Sequence, residues 1–113
     1  MENQVWKTEE VISFKDAVVY AQGSIVSKTL FDKPEGSLTL FAIAEGQGIK
    51  EHKSPYDATV HVIEGEGLFS VGDKEYKVSA GEGLIMPANI EHAVLPKAAF
   101  KMLLIMIRSK NDN

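Results

Sequence analysis

Residues 48–65, GIKEHKSPYDATVHVIEG, decide how this chain is read. From Ala58 onward small and branched apolar residues fall on every second position, Ala58, Val60 and Val62, with Thr59, His61 and Ile63 between them. A period of two puts these sets on opposite faces of a β-strand. With the Ala58 set facing a core, His61 faces out. The turn signal Pro55-Tyr56-Asp57 divides the stretch, since proline fixes φ and brings no backbone donor. An extended arm, Gly48–Lys53, precedes it, and a second, Ala58–Ile63, follows it.

Working outward, the same short periods recur along the chain, and glycine or proline arrives about every ten residues, the pattern of short antiparallel strands. Strands are predicted at Val18–Tyr20, Ser24–Leu30, Ser37–Ala44, Gly67–Val71, Lys74–Val78, Gly83–Met86, His92–Leu95 and Phe100–Arg108, besides the two arms above. Helical spacing is nearly absent, so no helices are expected. The plainest hairpin is GLFSVGDKEYKV, where Gly72-Asp73 suits a tight two-residue turn with positive φ. Phe100–Arg108 is apolar on both faces: Phe100, Met102, Leu104 and Met106 on one, Leu103, Ile105 and Ile107 on the other. A strand wetted on one side would alternate, so this one calls for cover on both, from a second sheet or a partner subunit. Short strands with two-sided burial imply an all-β sandwich or closed barrel.

The 113 residues suit one domain spanning 1–113, with room for a single core. Cysteine is absent, which removes disulfides, zinc–thiolate sites and thiol nucleophiles and leaves nitrogen and oxygen as metal donors. The net charge is −4 and the lysines are interspersed with acids, so no basic surface for nucleic acid is expected. The start, MENQVWKTEEV, has no apolar leader core, and no stretch reaches the length of a membrane span. A cytoplasmic protein is expected. Trp6 is expected to anchor the N-terminal segment.

The chemistry lies in spacing. Gly46 is followed after five residues by His52, then by Ser54, Ala58 and Gly65; Gly81 is followed after five residues by Pro87, then by Asn89, His92 and Pro96. Over about residues 37–107 this frame resembles the paired motifs of the cupin superfamily. The resemblance implies a double-stranded β-helix, or jelly-roll, barrel whose motif histidines and glutamate converge on a divalent metal, commonly iron, manganese, nickel or zinc. It also implies a homodimer, since small cupins commonly pair.

The carry-over of ligands is incomplete. His52 and His92 occupy the first and last histidine positions, whereas Ser54 stands at the second histidine and Ala58 at the glutamate. Asn89 replaces a glycine, a mild change because asparagine tolerates left-handed backbone. Two neutral imidazoles lack the negative charge that offsets dehydration of a divalent ion. A third ligand could come from the substrate itself, or from His61 or Asp57, each of which needs a bulge or turn to face inward. The expected pocket comprises His52, Ser54, Tyr56, Ala58, Met86, His92 and Met102. Two functions follow: a module binding a small molecule in the barrel, with a divalent metal held weakly if at all, or a metal-dependent dioxygenase or isomerase using His52 and His92.

Overall fold

The structure, a computed structural model, describes residues 8–108. The expectation for Trp6 lies outside the described residues. Eight strands follow one short helix: α1 (Phe14–Ala17), β1 (Ile25–Lys33), β2 (Gly36–Ile43), β3 (Ile49–His52), β4 (Tyr56–Val71), β5 (Lys74–Ser79), β6 (Gly83–Met86), β7 (His92–Leu95) and β8 (Phe100–Arg108). All pairings are antiparallel. One sheet runs β1-β2-β8-β4-β6 and the other β3-β7-β4-β5, so β4 belongs to both. From β2 onward the chain crosses from sheet to sheet, the jelly-roll arrangement expected from the sequence.

β4 turns the corner between the sheets. Residues Tyr56–Gly65 pair with β8 and Glu66–Val71 pair with β5, and the register to β8 slips between Val62 and Glu64. Such a bulge adds a residue to one strand and bends it. Gly65 completes the corner at φ +80°, where a Cβ would come within 2.8 Å of the Ala99 carbonyl oxygen. The predicted strands at Ala58–Ile63 and Gly67–Val71 are therefore one bent strand.

Alternation along the strands builds the interior. Ala58, Val60 and Val62 of β4, Met86 of β6, Phe100 and Met102 of β8 and Phe69 of the far sheet are buried together. Each side chain of Val or Phe size buried this way stabilises by about 1.5–3 kcal/mol. His61 is exposed, as the period-two reading requires. The β4–β5 turn has positive φ at Gly72 (+62°) and not at Asp73, the pattern of a II′ rather than an I′ turn. Asn89 takes φ +67°.

Part of the outer face of β8, around Leu103, is covered by irregular chain from the same molecule. Val18–Tyr20 is not a strand; it leaves α1 as irregular chain and lays Val18 against Leu30, Leu40, Ala42 and Leu103. No second sheet is needed there. Lys101, only 8% exposed, donates from Nζ to the Lys15 carbonyl oxygen (2.6 Å) and lies over the Tyr20 ring (5.1 Å). Tyr20 donates its hydroxyl hydrogen to Glu64 Oε2 (2.7 Å). Burial, then this bond to Glu64, pushes the phenol well above its usual pKa. The predicted absence of helices fails at α1, whose single turn seats this cover. Among the described residues, no helix is long and apolar enough to cross a membrane.

Candidate functional site

His52 and His92 are far apart in the chain and adjacent in space. β3 and β7 pair antiparallel with His52 opposite His92, so both side chains emerge on the same face. A register slip between Ile49 and His52 is what lets Ile49, three residues earlier, face the interior as well. The imidazoles stand edge to face with ring centroids 4.4 Å apart and an angle of 69° between their planes.

Each ring is held by its own turn of backbone. His52 Nδ1 lies 2.8 Å from the Lys50 carbonyl oxygen and His92 Nδ1 lies 3.1 Å from that of Ile90. A carbonyl oxygen only accepts, so each Nδ1 carries the hydrogen and donates it. In the neutral rings the lone pair is then on Nε2. Nε2 of neither ring has a hydrogen-bond partner among the described residues. His52 is at the exposed rim, whereas His92 is 7% exposed. Burial holds the His92 pKa below the ordinary imidazole value; the His52 ring adds to that, and the bond to Ile90 opposes it.

The rings edge a cavity of about 240 Å³ between the sheets. Its other walls are apolar and include Phe41, Val60, Phe69, Met86, Met102 and Leu104. Of the residues expected at the pocket, His52, Met86, His92 and Met102 line it. Ser54, Tyr56 and Ala58 do not. The Ser54 hydroxyl is spent on Tyr56, donating to its carbonyl oxygen (3.4 Å) and accepting from its N–H (3.3 Å). Ala58 faces inward but is packed between Met86 and Met106 on the neighbouring strands.

Neither candidate third ligand joins the pair. Asp57 Oδ1 accepts from the Ala88 N–H (2.9 Å), fastening β4 to the loop after β6. His61 is on the outer face, opposite Leu103 of β8 and Gly83 of β6. The bulge that would have turned either inward falls later, after Val62. Among the described residues no three histidine, cysteine, aspartate or glutamate side chains come together as a metal site. The donor set does not fit the three- or four-ligand divalent centre that the motif frame implies, because it lacks a carboxylate and keeps two of the three imidazoles.

The larger walls, Phe41, Ile49, Phe69 and Leu104, were not among the expected pocket residues. Leu104 shares its inward parity with Met102, so period two alone could have placed it. Phe69 and Phe41 needed the pairing of sheets to bring them together.

The family described as Cupin domain matches residues 39–107. A conserved protein of unknown function from Streptococcus pyogenes superposes with a TM-score of 0.89 at 30% identity, over 95% of this chain and 94% of that one. A cupin 2 conserved barrel domain protein from Leptotrichia buccalis is 42% identical, with a TM-score of 0.81 over 83% of this chain and 46% of that one. A cupin superfamily protein from Desulfitobacterium hafniense shares the fold at 21% identity, with a TM-score of 0.86 over 96% of this chain and all (100%) of that one. No curated protein matches the chain. With the two-motif frame, the jelly roll and these likenesses together, the chain belongs to the cupin family.

Proposed function

We propose that this protein is a binding module whose barrel interior takes a small molecule without requiring a resident metal. The observation that carries the reading is the cavity of about 240 Å³, apolar on most walls, with two imidazoles whose Nε2 atoms are uncommitted. Pockets of this make-up draw affinity from apolar contact and orientation from a few polar groups. His92 and His52 are those groups. A second reading, a metal-dependent dioxygenase or isomerase, draws support from the Nδ1 bonds to carbonyl oxygens, which orient the rings as bonds behind metal-ligating histidines do. The missing carboxylate weighs against it.

Two measurements separate the readings. Metal content is determined on protein purified without an affinity tag, and methyl NMR signals of Met86 and Met102 are followed while mixtures of small organic molecules are added. The binding module is expected to carry well under one metal ion per chain and to show shifts at both methionines. One ion per chain, lost in both His52→Ala and His92→Ala, would replace it with the enzyme. Methionine signals that no small molecule moves would sink it.

The homodimer is likewise a proposal. It is supported by the part of the outer sheet face that α1 and its following segment leave open, where Ile85 is 69% and Ile107 58% exposed. Light scattering on the full chain is expected to give twice the chain mass, and Ile85→Lys with Ile107→Lys to halve it. A monomer at all concentrations removes the proposal.

A further inference from the structure

The cavity's polar complement restricts which molecules can satisfy it. Both Nδ1 atoms are bound to backbone carbonyl oxygens, so each neutral ring presents only an acceptor. No buried side-chain nitrogen or oxygen among the described residues is sealed without a partner. Nε2 of His92 has no partner among the described residues and is not sealed, so it borders accessible space, and the ring is part of the cavity wall. An occupant that displaces water from that atom has to donate a hydrogen to it. His52, at the rim, can keep its water.

Charge and size narrow the class further. Among the described residues the cavity is lined by no lysine, arginine, aspartate or glutamate, so a cation would enter without a counter-charge and an anion would meet one only if an imidazole first took up a proton. A neutral guest meets no such penalty. A cavity of about 150 Å³ accommodates benzene, and pockets for drug-sized ligands begin near about 300 Å³. The volume here, about 240 Å³, lies between and suits one substituted ring. Phe41 and Phe69 offer ring edges and faces, and Met86 and Met102 offer thioethers, both of which favour an aromatic guest over an aliphatic one.

We propose that the cavity selects uncharged, one-ring aromatic molecules carrying a hydroxyl group, with Nε2 of His92 accepting the hydroxyl hydrogen and the ring lying among Phe41, Phe69, Met86 and Met102. This rests on the binding-module reading and names its ligand class. It excludes carboxylates, phosphates and polyols from that space.

The test compares phenol, toluene and benzoate on the full chain. Toluene replaces the hydroxyl by a methyl of similar size, and benzoate adds a charge. Phenol is expected to bind about tenfold or more tighter than either, the usual consequence of leaving a buried acceptor unpaired. The imidazole ¹⁵N signal of His92 Nε2, read in the unmodified protein, is expected to move with phenol and stay with toluene. His92→Phe is expected to abolish the preference. Equal affinity for phenol and toluene would overturn the hydroxyl assignment while leaving the binding module intact. Tighter binding of benzoate would overturn the neutral class, again leaving the module. Failure of all three to bind would overturn this inference, and the methionine shifts with other small molecules then decide the module separately.

Discussion

His52 and His92 meet edge to face at 4.4 Å because β3 and β7 set them directly opposite one another, and each is fixed through Nδ1 to the carbonyl oxygen two residues earlier. The pair is thereby a shared acceptor edge rather than two independent histidines. Protonating both would bring like charges together beside an apolar cavity.

That relationship gives stability a pH dependence. The His92 pKa is lowered in the folded chain, first by burial and further by His52. The unfolded chain, with an imidazole pKa of about 6.5, then binds more protons in the window below that value. Stability from this group is fully present above the unfolded pKa and is lost as pH falls toward the folded one. The urea midpoint is expected to drop on acidification from pH 7 to below pH 6. In His92→Phe this part of the slope should vanish; an unchanged slope would show that the drop arises elsewhere.

Gly65 is expected to be intolerant of any side chain. Its φ of +80° suits glycine, and a Cβ would approach the Ala99 carbonyl oxygen at 2.8 Å and Phe100 Cβ at 3.1 Å. Left-handed backbone costs a residue with a Cβ about 1–2 kcal/mol before any clash. Gly65→Ala should therefore lose about 2 kcal/mol or more in denaturant unfolding. Gly23, at φ +71° with nothing within 4 Å of its Cβ position, is the control, and Gly23→Ala should cost the smaller amount.

What could be read from the sequence, and what could not, divides along physical lines. Strand parity depends on neighbours in the chain, so the inward set of Ala58, Val60 and Val62, the outward His61 and the turn at Gly72 were all legible. The pairing of His52 with His92 was legible only through motif spacing. Bulges depend on how two strands fit, and the slip between Ile49 and His52 that turns both inward has no local signal. The same holds for Val62–Glu64, which merges two expected strands into β4. Val18–Tyr20 has strand-like residues but pairs with no strand among the described residues, and Val18 is used instead as a cover for Leu103. Ser54 looked available because its hydroxyl's preference for the adjacent backbone is decided only when the turn forms.

That cover is held by polar contacts that can be cut singly. Tyr20 donates to Glu64, and removing the hydroxyl in Tyr20→Phe deletes a bond to a charged acceptor, worth about 1.5–3 kcal/mol when fully dry. Glu64 is only part-buried and can regain water, so the loss should fall near about 1–2 kcal/mol. The raised phenol pKa adds a second readout. A phenol held protonated by the fold contributes stability that is present below about pH 10, the unfolded pKa, and lost as pH rises beyond it. Alkaline unfolding should be steeper in the unmodified chain than in Tyr20→Phe. Equal alkaline slopes would mean that Tyr20 ionises as freely as in the unfolded chain.

The missing ligands can be restored by substitution. Ala58 is 1% exposed and lies between Met86 and Met106, so Ala58→Glu introduces a carboxylate with no counter-charge nearby. An uncompensated buried charge costs about 3–5 kcal/mol, or the carboxyl takes up a proton instead. Paired with Ser54→His, it tests whether a third imidazole and a carboxylate can join His52, at the rim, and His92. A divalent ion at about 100 times its Kd stabilises a folded chain by about 2.7 kcal/mol, which is close to the lower cost of the carboxylate. The double variant is therefore expected to unfold at a lower temperature than the parent without metal, and to recover most of the difference with manganese or zinc, taking up about one ion per chain. The parent should not respond. If metal leaves the double variant unmoved, the frame around His52 and His92 has lost more than its two ligands.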